Sequence, residues 1–417
     1  MATDSGAPTG SFRLSMLLYD SRYRSLTIQV FAFFVLMFGA AWLVYNTKTN
    51  LEALGKPFGF DFLFNTSGYD IAQRPIEYSS QSTHLRAAMV GLLNTLILAV
   101  MACVTATVLG VFAGVLRLSN NWIIARLMTI YIETFRNVPV LIWIIVTSAV
   151  MSESMPPPSA FRGADPSASM ILWDSVAVTN RGVYIPAPLV EHSLGSLNIP
   201  GVQLSLDAIA FLVVVALSIW VNRRILAHAT KVQNATGVRP ATWWKSLLIL
   251  FLPAIVLLYA MGFHLEYPAL RGFNFSGGIQ MRNSLIAMWI GLSIYTAAFI
   301  AEIVRAGIMA ISKGQTEAAF ALGLQPGKTM RLVILPQALR VIVPPLISQY
   351  LNITKNTSLG LAVGYMDLRS TLGGITINQT GRELEGMLLM MLIYLIVSLV
   401  ISTVMNFYND RVKLRER

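Results

Sequence analysis

Eight predominantly apolar runs, between 17 and 29 residues long, partition this 417-residue chain. They are Leu26–Tyr45, Ala88–Leu116, Leu127–Val150, Ser205–Val221, Ser246–Phe263, Ser284–Val304, Ile342 to about Leu361, and Met387–Phe407. A bilayer core is crossed by about 20 helical residues, so each run is a candidate span. Only 12% of the residues are charged and 55% are apolar, against roughly twice that charged share in soluble domains. The expected fold is an all-α polytopic membrane protein with about eight transmembrane helices. The first run is longer than the 7–15 apolar residues of a secretory signal, so it is taken as a retained helix. Cys103, the lone cysteine, lies in an apolar run and excludes an intrachain disulfide framework.

A formal charge of +11 would suggest a nucleic-acid partner in a soluble protein, but its distribution argues otherwise. Residues 1–25, the loops at 117–126, 223–245 and 305–340, and the tail RVKLRER carry nineteen Lys and Arg; the alternate loops carry ten over many more residues. By the positive-inside rule both termini are expected in the cytoplasm, with no nucleic-acid partner.

The stretch from Ala301 to Pro345 is a polar, basic interruption between two apolar runs. Thr316 is placed to cap a short run of helix formers, Glu317–Leu322; Gly323 offers a helix stop and Pro326-Gly327 a turn. An isolated helix needs about 12–15 residues, so this piece requires a partner, and Phe320 and Leu322 would otherwise face water. It is a docking element. The neighbouring Gly323–Thr329 is one residue short of a phosphate-binding loop and has no strand before it, so nucleotide binding here is rejected.

Glu317-Ala318-Ala319, Gly323 and Val333-Ile334-Leu335-Pro336 resemble the EAA loop of ABC-importer permeases, with Val333 one methylene short of the family's Ile. The flanking AEIVRAG and TKNTSLG resemble the polar-amino-acid branch. IAQRPIEYS, NRGVYIPAP and GFNFSGG extend the likeness, over nearly the whole chain, to the general L-amino-acid permeases of the Q type. The resemblance implies a type I permease core of five helices in 88–150 and 284–408. It also implies a coupling loop at 309–337 in which Thr316, Glu317, Ala318, Ala319, Gly323, Pro326, Leu335 and Pro336 engage an ATPase. Segment 1–87 then holds an extra helix and an outer loop, 151–283 is an insertion with two further spans, and 409–417 is a basic tail. The implied partners are ABC ATPase subunits, a second related permease, a periplasmic amino-acid-binding protein and the lipid of a bacterial inner membrane. The chain itself catalyses no bond chemistry and needs no cofactor.

Ionisable groups inside a membrane usually face a cavity, a partner or each other. Glu133, Arg136 and Asn137 precede Pro139, which is expected to kink the third run; Glu133 and Arg136 are spaced to pair. Glu302 and Arg305 repeat the spacing, with Glu302 either paired at the membrane edge or facing the pathway. Lys355, with Asn356, Thr357 and Ser358, interrupts the seventh run and requires a carboxylate: Glu302, Glu133 or one belonging to a substrate. A protein partner is the expectation. Asn94 and Thr95 are expected to hydrogen-bond between helices, and Met387, Met390 and Met391 to pack. The four histidines show no ligand spacing, so no metal is expected. Two rival classes fit less well: an ion-coupled secondary transporter could use the buried charges as a relay but has no need of a docking loop and no internal repeat is seen, and a membrane enzyme would need a cluster of His, Asp, Ser or Cys at one membrane face, which the sequence does not show.

Overall fold

The apolar runs become helices whose ends are set by local chemistry, as the computed structural model, which describes residues 21–163, 165–199 and 202–412, makes visible. Arg13 and the tail charges Lys413, Arg415 and Arg417 lie outside the described residues. The chain divides into two units, Met1–Asp61 and Phe62–Arg417. In the first, α1 (Ser21–Ala53) is apolar on every side from Val30 to Val44 and is long enough to cross a bilayer core.

In the second unit, α2 (His84–Arg117) begins where Thr83 accepts a hydrogen bond from the Arg86 amide at 3.3 Å. Helix α3 (Trp122–Asn137) begins where Asn121 Oδ1 accepts from the amides of Ile123 and Ile124. The third run is not one helix: α4 (Val140–Glu153) leaves α3 at 105°. Pro139 removes a donor, and Val138, the residue before it, is held extended. Phe135 and Trp143 stack across the break with centroids 4.1 Å apart, which braces the bend.

The fourth run is longer than its apolar part. Helix α5 (Leu206–Thr236) has 31 residues, ~46 Å at 1.5 Å per residue, so its basic end extends well past a bilayer core. Gly237 ends it at φ +74. Then come α6 (Trp243–Ala260), α7 (Asn283–Met309), α8 (Lys313–Ala321), α9 (Leu335–Asn356) and α10 (Glu383–Val412).

Helix α7 is the centre of the bundle. Along the α2–α7 seam Thr105 meets Trp289, Gly110 meets Ala297 and Ile300, and Gly114 meets Ala301 and Val304, so the two helices run parallel. A Cβ at Gly110 would sit 2.6 Å from Ile300 Cβ, and one at Gly114 2.6 Å from the Ala301 carbonyl oxygen. Lipid supplies no hydrophobic drive between helices, so such close backbone approach is what joins them. Helix α9 runs the opposite way, with Ile342 against Gly307 and the Tyr350 hydroxyl sharing a 2.8 Å hydrogen bond with Thr107. Cys103 packs at the edge of this core.

Asn94 and Thr95 do bridge elements, though their partners are connecting segments. Asn94 Nδ2 donates to the carbonyls of Gln73 and Met366, both at 2.9 Å, and Thr95 Oγ1 accepts from the Leu368 amide. Of the three methionines, Met390 packs against buried Leu368 and Leu372; Met387 and Met391 face outward.

The insertion 151–283 holds, among the described residues, nine short strands: β1 (Ala177–Thr179), β2 (Gly182–Ile185), β3 (Ala187–Val190), β4 (Ser196–Ile199), β5 (Val202–Ser205), β6 (Phe263–Glu266), β7 (Ala269–Arg271), β8 (Asn274–Ser276) and β9 (Ile279–Met281). Two of the pairings join the two sides of the α5–α6 excursion. β2 pairs with β9, and β3 pairs with β6, from Ala187↔Glu266 to Val190↔Phe263. Ala177, Tyr184 and Phe275 form the small core of this cap.

The seam makes a firm prediction. Gly114→Leu should lower the stability of the detergent-solubilised chain by about 1–3 kcal/mol through overpacking, whereas the lipid-exposed change Val108→Leu should be near neutral. Thermal unfolding followed by fluorescence size-exclusion checks both.

Candidate functional site

The docking element starts earlier than expected. Helix α8 is capped at Ser312, without a side-chain cap bond, so Thr316 lies within the helix and is not its cap. Its end matches the expectation: Gly323 has φ +77, its amide bonds Phe320 O at 2.9 Å, and the Leu324 amide bonds Ala319 O at 3.1 Å. That double bond is a Schellman stop, which favours glycine at the left-handed position. Pro326-Gly327 is corrected from a turn to the start of a short helical turn, Pro326–Thr329, with Pro326 at the first position. A π-helical turn, Met330–Ile334, then leads into Leu335 and Pro336 at the head of α9.

Only Ala319 in α8 is buried; Glu317 and Ala318 are exposed. Phe320 is 47% and Leu322 81% exposed, and Thr316 and Phe320 line an apolar groove with Met330 and Ile334. The element therefore has a stiff backbone and an unsatisfied apolar surface. It joins the central helix α7 directly to α9.

The charges near the ends of α2, α3 and α7 do not pair as their spacing suggests. Glu302 does pair with Arg305, at 2.5 Å, but it is also gripped by Arg117 of α2. Arg117 in turn reaches Glu133 of α3 at 3.7 Å. Arg136, expected beside Glu133, instead lies over the Phe299 ring at 5.4 Å. Arg136 thus packs on α7 while Glu133 meets Arg117 of α2, although both sit on one face of α3. Arg117, read in the sequence only as a loop cation, thus ties three helices together; its position opposite Glu302 depends on the parallel register of α2 and α7, which no local pattern encodes.

Lys355 finds no carboxylate. Both candidate partners, Glu302 and Glu133, are engaged by arginines, and no ion pair to Lys355 occurs among the described residues. Its side chain is exposed and lines a cleft with Ser358, Arg369, Met390 and Tyr394. Asn356 is half-buried, Thr357 is fully buried with its hydroxyl on Thr354 O at 2.8 Å, and Ser358 Oγ donates to Lys355 O at 2.7 Å. Asn137 is exposed on α3. Behind the cleft, buried Asp367 accepts from Ser370 and from Tyr394, and its burial holds the carboxyl above the usual carboxylate range despite those bonds.

The exposed face of α9 runs Val341, Pro345, Ser348, Asn352, Lys355, at steps of three or four residues. On α2 the exposed face is Val100, Val104, Val108, Phe112 and Val115, and on α10 it is Leu395, Leu399 and Val404. The latter two faces suit lipid. A face that carries Ser348, Asn352 and an unpaired lysine does not, and it requires water or another chain.

Apolar helices packed around one central helix, with a polar face on α9 and a short, exposed helix outside, define a membrane-transport subunit. Residues 106–415 match the family described as "Binding-protein-dependent transport system inner membrane component", and the chain belongs to it. It is 59% identical, over 100% of both chains, to the glutamate/glutamine/aspartate/asparagine transport system permease protein BztB of Rhodobacter capsulatus. It is 40% identical to the general L-amino acid transport system permease protein AapQ of Rhizobium johnstonii, over 98% of this chain and 96% of that one. A crystal structure of an amino acid ABC transporter with histidines aligns with a TM-score of 0.44 and 18% identity, covering 79% of this chain and 95% of that one.

Because Arg117 faces both Glu302 and Glu133, its loss should leave those two carboxylates with Arg305 alone. Arg117→Gln is expected to destabilise the chain by about 1–2 kcal/mol, less than a fully buried pair because the groups are partly exposed. Adding Glu302→Gln should recover part of that loss, which a double-mutant thermal-unfolding cycle measures.

Proposed function

We propose that this chain is the permease subunit of an ATP-driven, binding-protein-dependent importer of L-amino acids. The observation that carries this reading is α8: a nine-residue helix outside the bundle, with Leu322 81% exposed, set between the central helix and the helix that bears Lys355. One of two ATPase subunits grips this element through Thr316–Pro336, chiefly Glu317, Ala318 and the apolar edge, while Gly323 and Pro326 fix its angle. A second, related permease completes the pore against the polar face of α9. A periplasmic binding protein delivers the amino acid. Both termini lie in the cytoplasm of a bacterial inner-membrane protein, in keeping with the excess of Lys and Arg on that side.

ATP binding draws the ATPases together, and α8 transmits the movement to α7 and α9. The permease's own work is to stabilise two conformations differently. The Arg117–Glu302–Arg305 group, with Glu133, holds α2, α3 and α7 in the state described here, and its exchange accompanies the transition. Ser348, Asn352, Lys355 and Ser358 line the path, and Lys355 with Arg369 favours a substrate carboxylate. The name of the Rhodobacter relative supports acidic and amide amino acids as the substrates.

The deciding experiment is an affinity pull-down of the tagged chain from detergent-solubilised native membranes, with co-purifying chains identified by mass. An ATPase together with a second permease supports the assignment. A lone species that takes up amino acids without ATP refutes it in favour of an ion-coupled carrier.

Two substitutions refine it. Leu322→Asp, at an exposed position, should cut uptake at least about tenfold and abolish ATPase co-purification while leaving membrane levels unchanged, which blotting and radiolabelled uptake check together. Lys355→Met should reduce uptake of L-glutamate more than that of L-glutamine, read as the ratio of initial rates.

A further inference from the structure

The cap carries a cavity of ≈ 420 Å³ that the transport path as described does not use. Its wall is built by the three-stranded sheet. Asn180-Arg181 is the two-residue turn between β1 and β2, and Arg282 follows β9, which pairs with β2 through Val183↔Met281. Gln280 is fixed between them, donating to the Tyr184 hydroxyl at 2.9 Å and to Arg181 O at 3.3 Å. Arg181 also donates to the Phe273 carbonyl at 3.2 Å. Strand pairing thus places the two arginines, about a hundred residues apart in sequence, on the wall of one cavity.

Neither Arg181 nor Arg282 is in an ion pair among the described residues, and no Asp or Glu lines the cavity. A second cavity of ≈ 350 Å³ shares Gln280 and Arg282 as wall residues and continues past Arg74 and Gln73 to Asn94 and Tyr365 at the head of the bundle; it too has no acidic lining. The Gln73 side-chain nitrogen is a donor without a partner. Arg74 is shared with Asp70 at 3.9 Å, but Arg181 and Arg282 have no carboxylate against them, and two such guanidinium groups on one cavity wall attract an anion and suit a carboxylate. The first cavity also has two carboxamide oxygens, Asn180 Oδ1 and Asn283 Oδ1, that accept nothing and are shielded from water in this state. Rotation of those side chains would offer acceptors to an ammonium group.

We infer that the cap holds a binding site for a free α-amino acid, with Arg181 and Arg282 on its carboxylate and the Asn180 and Asn283 carboxamides on its ammonium group, placed where the second cavity leads toward the bundle. The inference rests on the amino-acid importer assignment above. The site serves as a waypoint between the binding protein and the path along α9, and it belongs to the 151–283 insertion together with the start of α7.

The test uses the intact transporter, with its partner subunits, in nanodiscs without binding protein. Isothermal titration with L-glutamate and L-glutamine compares the wild type with Arg181→Gln/Arg282→Gln and Arg181→Lys/Arg282→Lys, each checked for monodispersity. The expected result is at least about tenfold weaker binding of both amino acids in the Gln pair, partial retention in the Lys pair, and weak binding of the α-methyl esters. Unchanged binding and unchanged uptake in the Gln pair, with the wild type importing normally, overturns the cap site and leaves the importer assignment standing. A wild type that neither binds nor imports amino acids overturns the importer assignment itself. Equal binding of inorganic phosphate, or loss of affinity for the binding protein alone with free amino-acid binding intact, also overturns the site as an amino-acid site.

Discussion

The contact of α2 with α7 at Gly110 and Gly114 is the constraint on which the rest of the bundle depends. With no side chain on α2 at those two positions, α7 sits close enough for Glu302 to meet Arg117 and for Trp289 to reach Thr105. Helix α9 then packs on α7 in the opposite sense, which turns Ser348, Asn352 and Lys355 outward as a single face. Each polar feature discussed above depends on that spacing. A bulkier seam would separate the charges before it disturbed any one helix.

The helices were largely legible in the sequence because their cause is local: a run of about 20 apolar residues has few other uses. The stop at Gly323 was legible for the same reason, since one residue type favours one backbone conformation. Partners were not. Glu133 and Arg136 have ideal spacing on a helix, yet Arg117 of α2 takes the first and the Phe299 ring of α7 the second, and Arg117 is 185 residues from Glu302. Lys355 is a different case: its place in an apolar run suggests a carboxylate from this chain, yet among the described residues it has none, because both carboxylates on offer are taken by arginines.

The strands escaped for a different reason. Each is only three or four residues long, too short for alternation to stand out, and the pairing of β2 with β9 joins Val183 to Met281. Apolar positions such as Tyr184 and Phe275 acquire their role only once that sheet has formed. The contrast separates what a membrane chain encodes locally, its spans, from what it encodes through assembly, its cap and its charge contacts.

The pairing of β3 with β6 has an evolutionary corollary. The chain leaves the cap near Ala187 and returns opposite it at Glu266, so everything between, α5 and α6 included, is an excursion that departs from and rejoins one point. Such a module can be gained or lost without moving the central bundle, because the junction is a strand pair on the outside of the fold. It must come and go as two helices at a time, however: an odd number would send the returning strand to the opposite face of the bilayer and invert every span after it.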